Sequence, residues 1–328
     1  MFQYTKLIIY KYAELILLPF FLLIYLIIIV VKKNNKQDKP RLIWGADPII
    51  INKYWSDCMN AQGYVSKTLM SGFYASINKK EDFDLYVHDL APIKLPQNFA
   101  AYYAFFYAIY NFDIIHHPAH GFLLRFTFWL NKCEGFFIKN AGCKNVVLPY
   151  GSDILLYSKI NNLELRHALL LSYPNAGKKE SQIQKQINYW INNSSVFLPA
   201  LQTDGVGYWD VLCYNCTVID EKKWTVKEDL SNQKDGIKDV VKIMHTPNHR
   251  GVKGTEFIIK AVKDLKAEGL KVELILLEKV NNEVVKATMN DVEILVEQLI
   301  FAHGLSAIEG MAKGLSVISN FEIGRAHV

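Results

Sequence analysis

The chain has 328 residues, 37 Lys and Arg against 32 Asp and Glu (net charge +5), with 51% hydrophobic and 21% charged residues. At ~150 residues per domain the length corresponds to about two domains, and the composition excludes a disordered chain, a collagen and a disulfide scaffold. The charge is too small and too evenly spread for an electrostatic nucleic-acid binder, so no nucleic-acid partner is expected.

The apolar residues are concentrated first at the N-terminus. Leu15–Val31 is 17 residues without a charge. A bilayer span needs about 17–25 such residues, and Pro19 is tolerated in a lipid-embedded helix. The run exceeds the usual h-region of a signal peptide and no small-x-small cleavage site follows it, so a retained transmembrane anchor is expected over 1–40. A cleaved signal and an interfacial or buried helix are the alternatives. Lys6 and Lys11 precede the run, and Lys32, Lys33, Lys36 and Lys39 follow it. That asymmetry puts the remainder of the chain on the cytoplasmic side.

From Arg41 onward, short apolar runs alternate with helix-length stretches. Strands are expected at Arg41–Trp44, Tyr64–Leu69, Asp84–His88, Asp113–His116, Asn145–Leu148 and Ser195–Leu198. Helical segments are expected at Asp57–Gly63, Ala100–Tyr110 and Lys178–Trp190. Such alternation is the pattern of a parallel α/β sheet. Glu221–Gly236, rich in charge and Asn, reads as a linker. A second alternation follows, with strands at Val240–Met244, Val272–Leu277, Val292–Val296 and Ser316–Ile318. Its helices are Thr255–Glu268 (Phe257, Ile258, Ala261, Val262 and Leu265 on one face), Val284–Met289 and Leu305–Ala312.

This divides the chain into a membrane anchor and tether (1–40), a first α/β domain (41–235), a partial second α/β domain (236–321) and a tail (322–328). The tail, EIGRAHV, resembles the translation of a sequencing-adapter read-through and is expected to be non-native. The 86 residues of 236–321 hold fewer than three βαβ units of ~30 residues, so the second domain is expected to be incomplete.

The densest chemical signal is His245-Thr-Pro-Asn-His-Arg-Gly-Val-Lys-Gly-Thr255, which leaves a strand and opens a helix. Helix N-terminal amides beside Arg250 and Lys253 can hold an anion; a solvated basic loop is the alternative. The second signal is His303–Ile318, where Gly304 precedes a helix whose one acid is Glu309. A carboxylate there could accept two hydrogen bonds from a diol, or be an ordinary partly exposed Glu. His116, His117 and His120 follow the Asp113–His116 strand, at the carboxyl end where open α/β sheets bind ligands. They read as cleft contacts, structural histidines or metal ligands. Cys213 and Cys216 form a lone CxxC, expected as reduced thiols.

In this order, H-x-P-x-x-R-x-x-K-G-T, VELILL, VEILVEQL and G-L-S-A-I-E-G-M-A-K-G resemble the C-terminal domain of GT-B glycosyltransferases of the group-1, family-4 type. Tyr-Gly-Ser-Asp-Ile (150–154) resembles that family's H-G-S-D-I element, and 216–224 its passage to the second domain. The resemblance implies α/β architecture with two Rossmann-like domains (GT-B) and a donor in the cleft between them. It implies transfer of a sugar from a nucleotide-diphosphate sugar to a glycan or lipid-linked acceptor at the membrane, with no further cofactor and no metal. It places Arg250 and Lys253 on the donor diphosphate, Glu309 on the donor ribose, and Gly304, Leu305 and Ser306 beside the phosphates. On the acceptor side it leaves Gly45, His116, His120 and Tyr150, with Asp153 as the remaining candidate acid. Phe301 stands where the family has the first Glu of its pair, and Tyr150 where it has a histidine. Both departures motivate a second expectation, a catalytically silent GT-B-like binding or scaffold protein.

Overall fold

The computed structural model describes residues 2–33, 38–75, 77–199, 203–213, 217–228, 230, 234–301 and 303–320. The tail at 322–328, Cys216 and part of the 221–236 linker lie outside these residues. The first compact unit is Met1–Tyr74, Lys79–Leu155 and Ser181–Tyr214; the second is Ala75–Asn78, Leu156–Glu180 and Asn215–Val328. The segment 156–180, on the N-terminal side of the expected boundary at 235, thus belongs to the second unit.

The chain opens with helix α1 (Phe2–Lys33). Its stretch Thr5–Lys32 is long and apolar enough to cross a membrane, and little of it is buried. The first unit continues with β1 (Leu42–Ala46), α2 (Ile50–Ala61), β2 (Ser66–Met70), β3 (Leu85–Tyr86), α3 (Val87–Leu90), α4 (Gln97–Asn111), β4 (Ile114–His117), α5 (Glu134–Asn140) and β5 (Lys144–Val147). After α6 (Leu163–Ser172), which lies in the second unit, come α7 (Glu180–Asn193) and β6 (Val196–Phe197). The strands form one parallel sheet in the order β3-β2-β1-β4-β5-β6.

Parallel sheets are covered on both faces, so their central strands read as continuous apolar runs. All five residues of β1 are buried. The core beside it is built from Ile43, Leu69, Phe105, Ile109, Ile115, Phe122 and Ile138. Gly45 is required by close approach: a Cβ there would lie 2.1 Å from the carbonyl oxygen of Leu69. Asp84–His88 is shorter as a strand than its apolar pattern implies. The Asp84 carboxylate accepts from the Thr68 amide and hydroxyl, and the chain turns into α3 after two paired residues.

The second unit holds β7 (Val241–His245), α8 (Arg250–Lys253), α9 (Thr255–Ala267), β8 (Val272–Leu276), α10 (Asn282–Thr288), β9 (Ile294–Val296), α11 (Leu305–Ala312) and β10 (Ser316–Ile318). Its strands are parallel in the order β10-β9-β7-β8. Gly254, at φ +71°, makes the left-handed step between α8 and α9. The Asn281 side chain accepts from the Val284 amide and caps α10. On α9 the inward face is narrower than the apolar pattern implies: Ile258 and Val262 are buried, while Phe257 and Ala261 are exposed.

The fold class is therefore α/β, with two parallel Rossmann-like sheets consistent with a GT-B-type chain. In each sheet the strand order reverses at one place, between β1 and β4 and between β7 and β9. Ligands of open α/β sheets bind outside the carboxyl ends of the strands at such reversals.

Candidate functional site

At the first reversal the chain leaves β1 through Asp47. Its Oδ2 lies 2.6 Å from His120 Nε2, 3.1 Å from the Tyr150 hydroxyl and 3.2 Å from Arg125 Nη1, while its Oδ1 takes Arg125 Nη2 at 2.5 Å. The imidazole nitrogen facing a carboxylate is the one that donates, so Nε2–H points at Asp47 and Nδ1 keeps its lone pair. His120 remains partly exposed. Burial and the Asp47 charge push the Tyr150 phenol above its ordinary pKa, so it stays a neutral donor.

Two buried carboxylates hold the loops that carry these groups. Asp153 accepts from the amides of Ala119, Tyr150 and Gly151 at 2.8, 3.1 and 3.0 Å. Burial pushes it up to about 6 against the opposing pull of those amides. Both oxygens of this candidate acid are occupied by backbone amides, so in this arrangement it clamps the two loops. Glu134 accepts from the amides of Phe122, Leu123 and Leu124 at 2.6–2.7 Å, fixing the turn between His120 and Arg125. Its burial raises its pKa, with the three amides opposing.

The other histidines stand apart from this group. His116 is the cross-strand partner of Trp44 and stacks on it at 3.6 Å between centroids. Burial pushes His116 down to about 4 and His117 down to about 3, so both rings are neutral. His117 Nδ1 bonds to the Pro118 carbonyl oxygen. His116 thus packs on Trp44 and is not among the groups that meet Asp47. Among the described residues no three His, Cys, Asp or Glu side chains converge as metal ligands do.

At the second reversal, β7 ends in His245 and β9 is followed by Glu297. His245 is buried between the Val296 carbonyl oxygen (2.7 Å) and the Thr255 hydroxyl (2.9 Å), and burial lowers its pKa. It ties the ends of both strands to the start of α9 as a neutral ring. Glu297 is buried and gathers the residues expected to hold phosphate. It ion-pairs with Lys253. It also accepts from the Gly304 amide (3.2 Å), the Ser306 hydroxyl (3.0 Å) and the Ser319 hydroxyl (3.1 Å). The Lys253 ammonium and the start of α11 do converge, but on an internal carboxylate. Arg250 turns elsewhere, to Glu256 (2.8 Å) and Glu278 (3.0 Å), and is partly exposed. Leu305 is the first residue of α11 and Gly304 its N-cap.

Glu309 lies on the buried face of α11. Burial and then the Glu297 charge raise its pKa to about 7, with Lys286 opposing. It is a carboxylate held near neutrality, able both to donate and to accept at physiological pH.

Asp47, Arg125, Glu134 and Glu297 were not read from the sequence. Asp47 and Glu297 did carry a signal, an acid directly after a buried apolar strand. Arg125 and Glu134 carried none that periodicity or spacing could show.

No protein-family model matches the sequence, and no curated relative matches it. Among solved structures the chain is similar to the crystal structure of a "glycotransferase of kitacinnamycin", at 12% identity and a TM-score of 0.36, covering 88% of this chain and 84% of that one. A likeness that loose leaves the fold resting on the strand orders and the site resting on its own geometry.

Proposed function

We propose that the chain is a glycosyltransferase that moves a sugar from a nucleotide-diphosphate sugar to a glycan or lipid-linked acceptor at a membrane, with both units on the cytoplasmic face. The observation that carries this reading is the grouping at the second reversal. Lys253, the Gly304 amide and the Ser306 hydroxyl converge there, with Glu309 on the same helix. Lys253, with Arg250 swung from its carboxylates, would meet the charge that develops on the leaving diphosphate, which is preorganised electrostatic catalysis. Glu309 would hold the ribose hydroxyls.

On the acceptor side, His120 Nδ1 would take the proton of the attacking hydroxyl. Asp47 would hold the tautomer and offset the imidazolium charge, and Arg125 and Tyr150 would hold Asp47. His120→Gln is expected to lower kcat by about 10²–10⁴ while leaving nucleotide affinity unchanged. Equal kcat in the variant and the parent, measured by product formation over a pH series, would remove His120 from the role.

The donor site is tested by titrating nucleoside diphosphates calorimetrically. Replacing Arg250 and Lys253 together with alanine is expected to weaken binding, at about 1.5–3 kcal/mol for each charged hydrogen bond lost. Unchanged affinity would contradict the assignment.

A second reading, a silent nucleotide-binding protein, is favoured by one observation: Lys253 and the amide end of α11 are already satisfied by Glu297. Nucleotide binding without donor hydrolysis or transfer by the full chain would select it.

A further inference from the structure

Helix α1 carries two opposite stripes. One stripe, Glu14, Phe21, Tyr25, Ile28 and Lys32, faces the first unit. The other, Ile16, Phe20, Leu23, Ile27 and Val30, is between 54% and 72% exposed and wholly apolar. Both follow the spacing of three and four that places residues on one helix face.

The inward stripe is docked by specific polar contacts at both ends. Glu14, fully buried, accepts from Asn98 Nδ2 (2.9 Å), the Tyr102 hydroxyl (3.1 Å) and the amides of Phe128 (2.9 Å) and Trp129 (3.0 Å). Phe21 stacks on Tyr102 at 4.1 Å, and the Tyr25 hydroxyl donates to the Phe137 carbonyl oxygen. Lys32 turns inward to the carbonyl oxygens of Ile109 and Phe112 and lies 3.7 Å from Asp113. The Glu14 end meets the start of α4 and the Lys32 end meets its finish, so the two helices run side by side in the same direction.

From Glu14 to Lys32 is 18 residues, or about 27 Å of helix at ~1.5 Å each. A bilayer's hydrocarbon is about 30 Å thick. The docked length is therefore nearly the whole span. The Lys11 carbonyl oxygen accepts from Trp129 Nε1, so only residues before position 11 lie beyond the docked stretch. For α1 to cross a bilayer in this arrangement, α4 and the irregular segment at 127–129, docked along its length, would have to enter the hydrocarbon with it, and the Lys32–Asp113–Arg41 ion pairs would lie at its edge. Non-helical backbone and the loops that flank it are tolerated at that depth only where protein or water encloses them on every side, which a unit docked on one face of a single helix does not provide.

We infer that α1 is a monotopic element. It lies along one leaflet with its outward stripe in the boundary between headgroups and acyl chains, and its two ends stay on the side that holds the globular part. The occupant of the exposed stripe is a lipid leaflet, and three features fit it. The stripe is apolar over its full length. Lys6 and Lys11 supply positive charge for anionic headgroups at one end. Tyr103 and Tyr110, exposed on α4 beside the seam residues Phe99 and Phe106, and Trp129 beside Lys11, are residues of the kind that populate membrane interfaces. Membrane attachment is part of the proposed function; what is added is that the helix does not cross.

The test uses the full chain with one epitope before residue 2 and another after residue 328, expressed in a bacterium. In inside-out membrane vesicles both epitopes should be cut by added protease without detergent. Protection of the N-terminal epitope alone would overturn the inference in favour of a spanning helix. In flotation with vesicles of phosphatidylethanolamine and a minority of phosphatidylglycerol, the parent should float. The variant Leu23→Lys/Ile27→Lys should float at least about tenfold less, since charge replaces apolar surface at the interface. Its thermal midpoint should be unchanged, because both side chains point away from the core. Equal flotation of the variant would remove the stripe as the contact. A parent that does not float and instead forms a dimer abolished by the same pair would assign the stripe to a second copy. A parent that neither floats nor dimerises would withdraw membrane attachment itself.

Discussion

Replacing Glu297 by alanine is expected to destabilise the second unit by about 3–5 kcal/mol, the usual cost of breaking a buried ion pair by removing one partner. The Lys253 ammonium, only 12% exposed, would lose its counter-charge. The Gly304 amide and the hydroxyls of Ser306 and Ser319 would lose their acceptor at the same time. Glu297→Gln also leaves Lys253 without its counter-charge but keeps the volume and one acceptor oxygen, so its loss should be smaller than that of the alanine variant by the one or two hydrogen bonds retained, at about 0.5–1.5 kcal/mol each. Hydrogen exchange of β9 and β10 under mild denaturant reads this locally. A Glu297→Ala chain whose exchange there matches the parent would show that the carboxylate holds nothing together.

The same substitution separates stability from binding. An incoming diphosphate and the Glu297 carboxylate compete for Lys253 and for the first amides of α11. Removing the negative charge should therefore tighten nucleoside diphosphate binding, by roughly tenfold for each ~1.4 kcal/mol of competition relieved. A variant that is less stable yet binds more tightly fits a site whose native carboxylate stands in the ligand's place. Weaker binding by Glu297→Gln would instead make Glu297 the residue that positions Lys253 for the ligand.

What the sequence made legible, and what it did not, divides along the same line. Leu305–Ala312 and Ser316–Ile318 were read with the bounds the structure has, because a glycine, a small-residue helix, a second glycine and a β-branched run are all local signals. That Lys253 and the start of α11 share one site is implied by the family resemblance and not by any local pattern. The residues that neutralise them were not, because the Lys253–Glu297 and Arg250–Glu278 pairs are made only when strands from different βαβ units come together. Asp47 and Arg125 meet across 78 positions, and Glu14 and Asn98 across 84. The apolar run of α1 was plain as a membrane signal. The one acid within its inward stripe, Glu14, borders that run in the sequence, and its partners Asn98, Tyr102 and Phe128, which dock the helix, lie too far along the chain to be read from it. Short strands were over-read for the converse reason: β3 and β6 have apolar patterns longer than the two residues that pair.

Glu309→Gln is expected to make the protein more stable at alkaline pH and less able to bind nucleotide. In the folded chain Glu309 titrates at about 7, raised from 4.5 by burial first and by Glu297 second. An acid whose folded pKa is raised binds more protons in the folded state than in the unfolded one between those two values. Stability then falls as pH rises from about 4.5 to about 7 and stays low above it. At ~1.4 kcal/mol for each unit, the shift corresponds to about 3 kcal/mol. Glutamine has no charge to bury, so the variant should unfold at higher denaturant than the parent at pH 8. The difference should shrink steadily toward pH 4.5 and vanish below it. Because the Glu297 charge is one cause of the shift, Glu297→Gln should move the same transition to lower pH, and the two substitutions should be non-additive. A parent whose stability is flat between pH 4.5 and 8, with an equally flat variant, would show that the α11 carboxylate is ionised without cost. Nucleotide titration closes the argument. If Glu309 holds the ribose diol, affinity for a ribonucleoside diphosphate should fall in the variant, while affinity for inorganic diphosphate, which has no diol, should not.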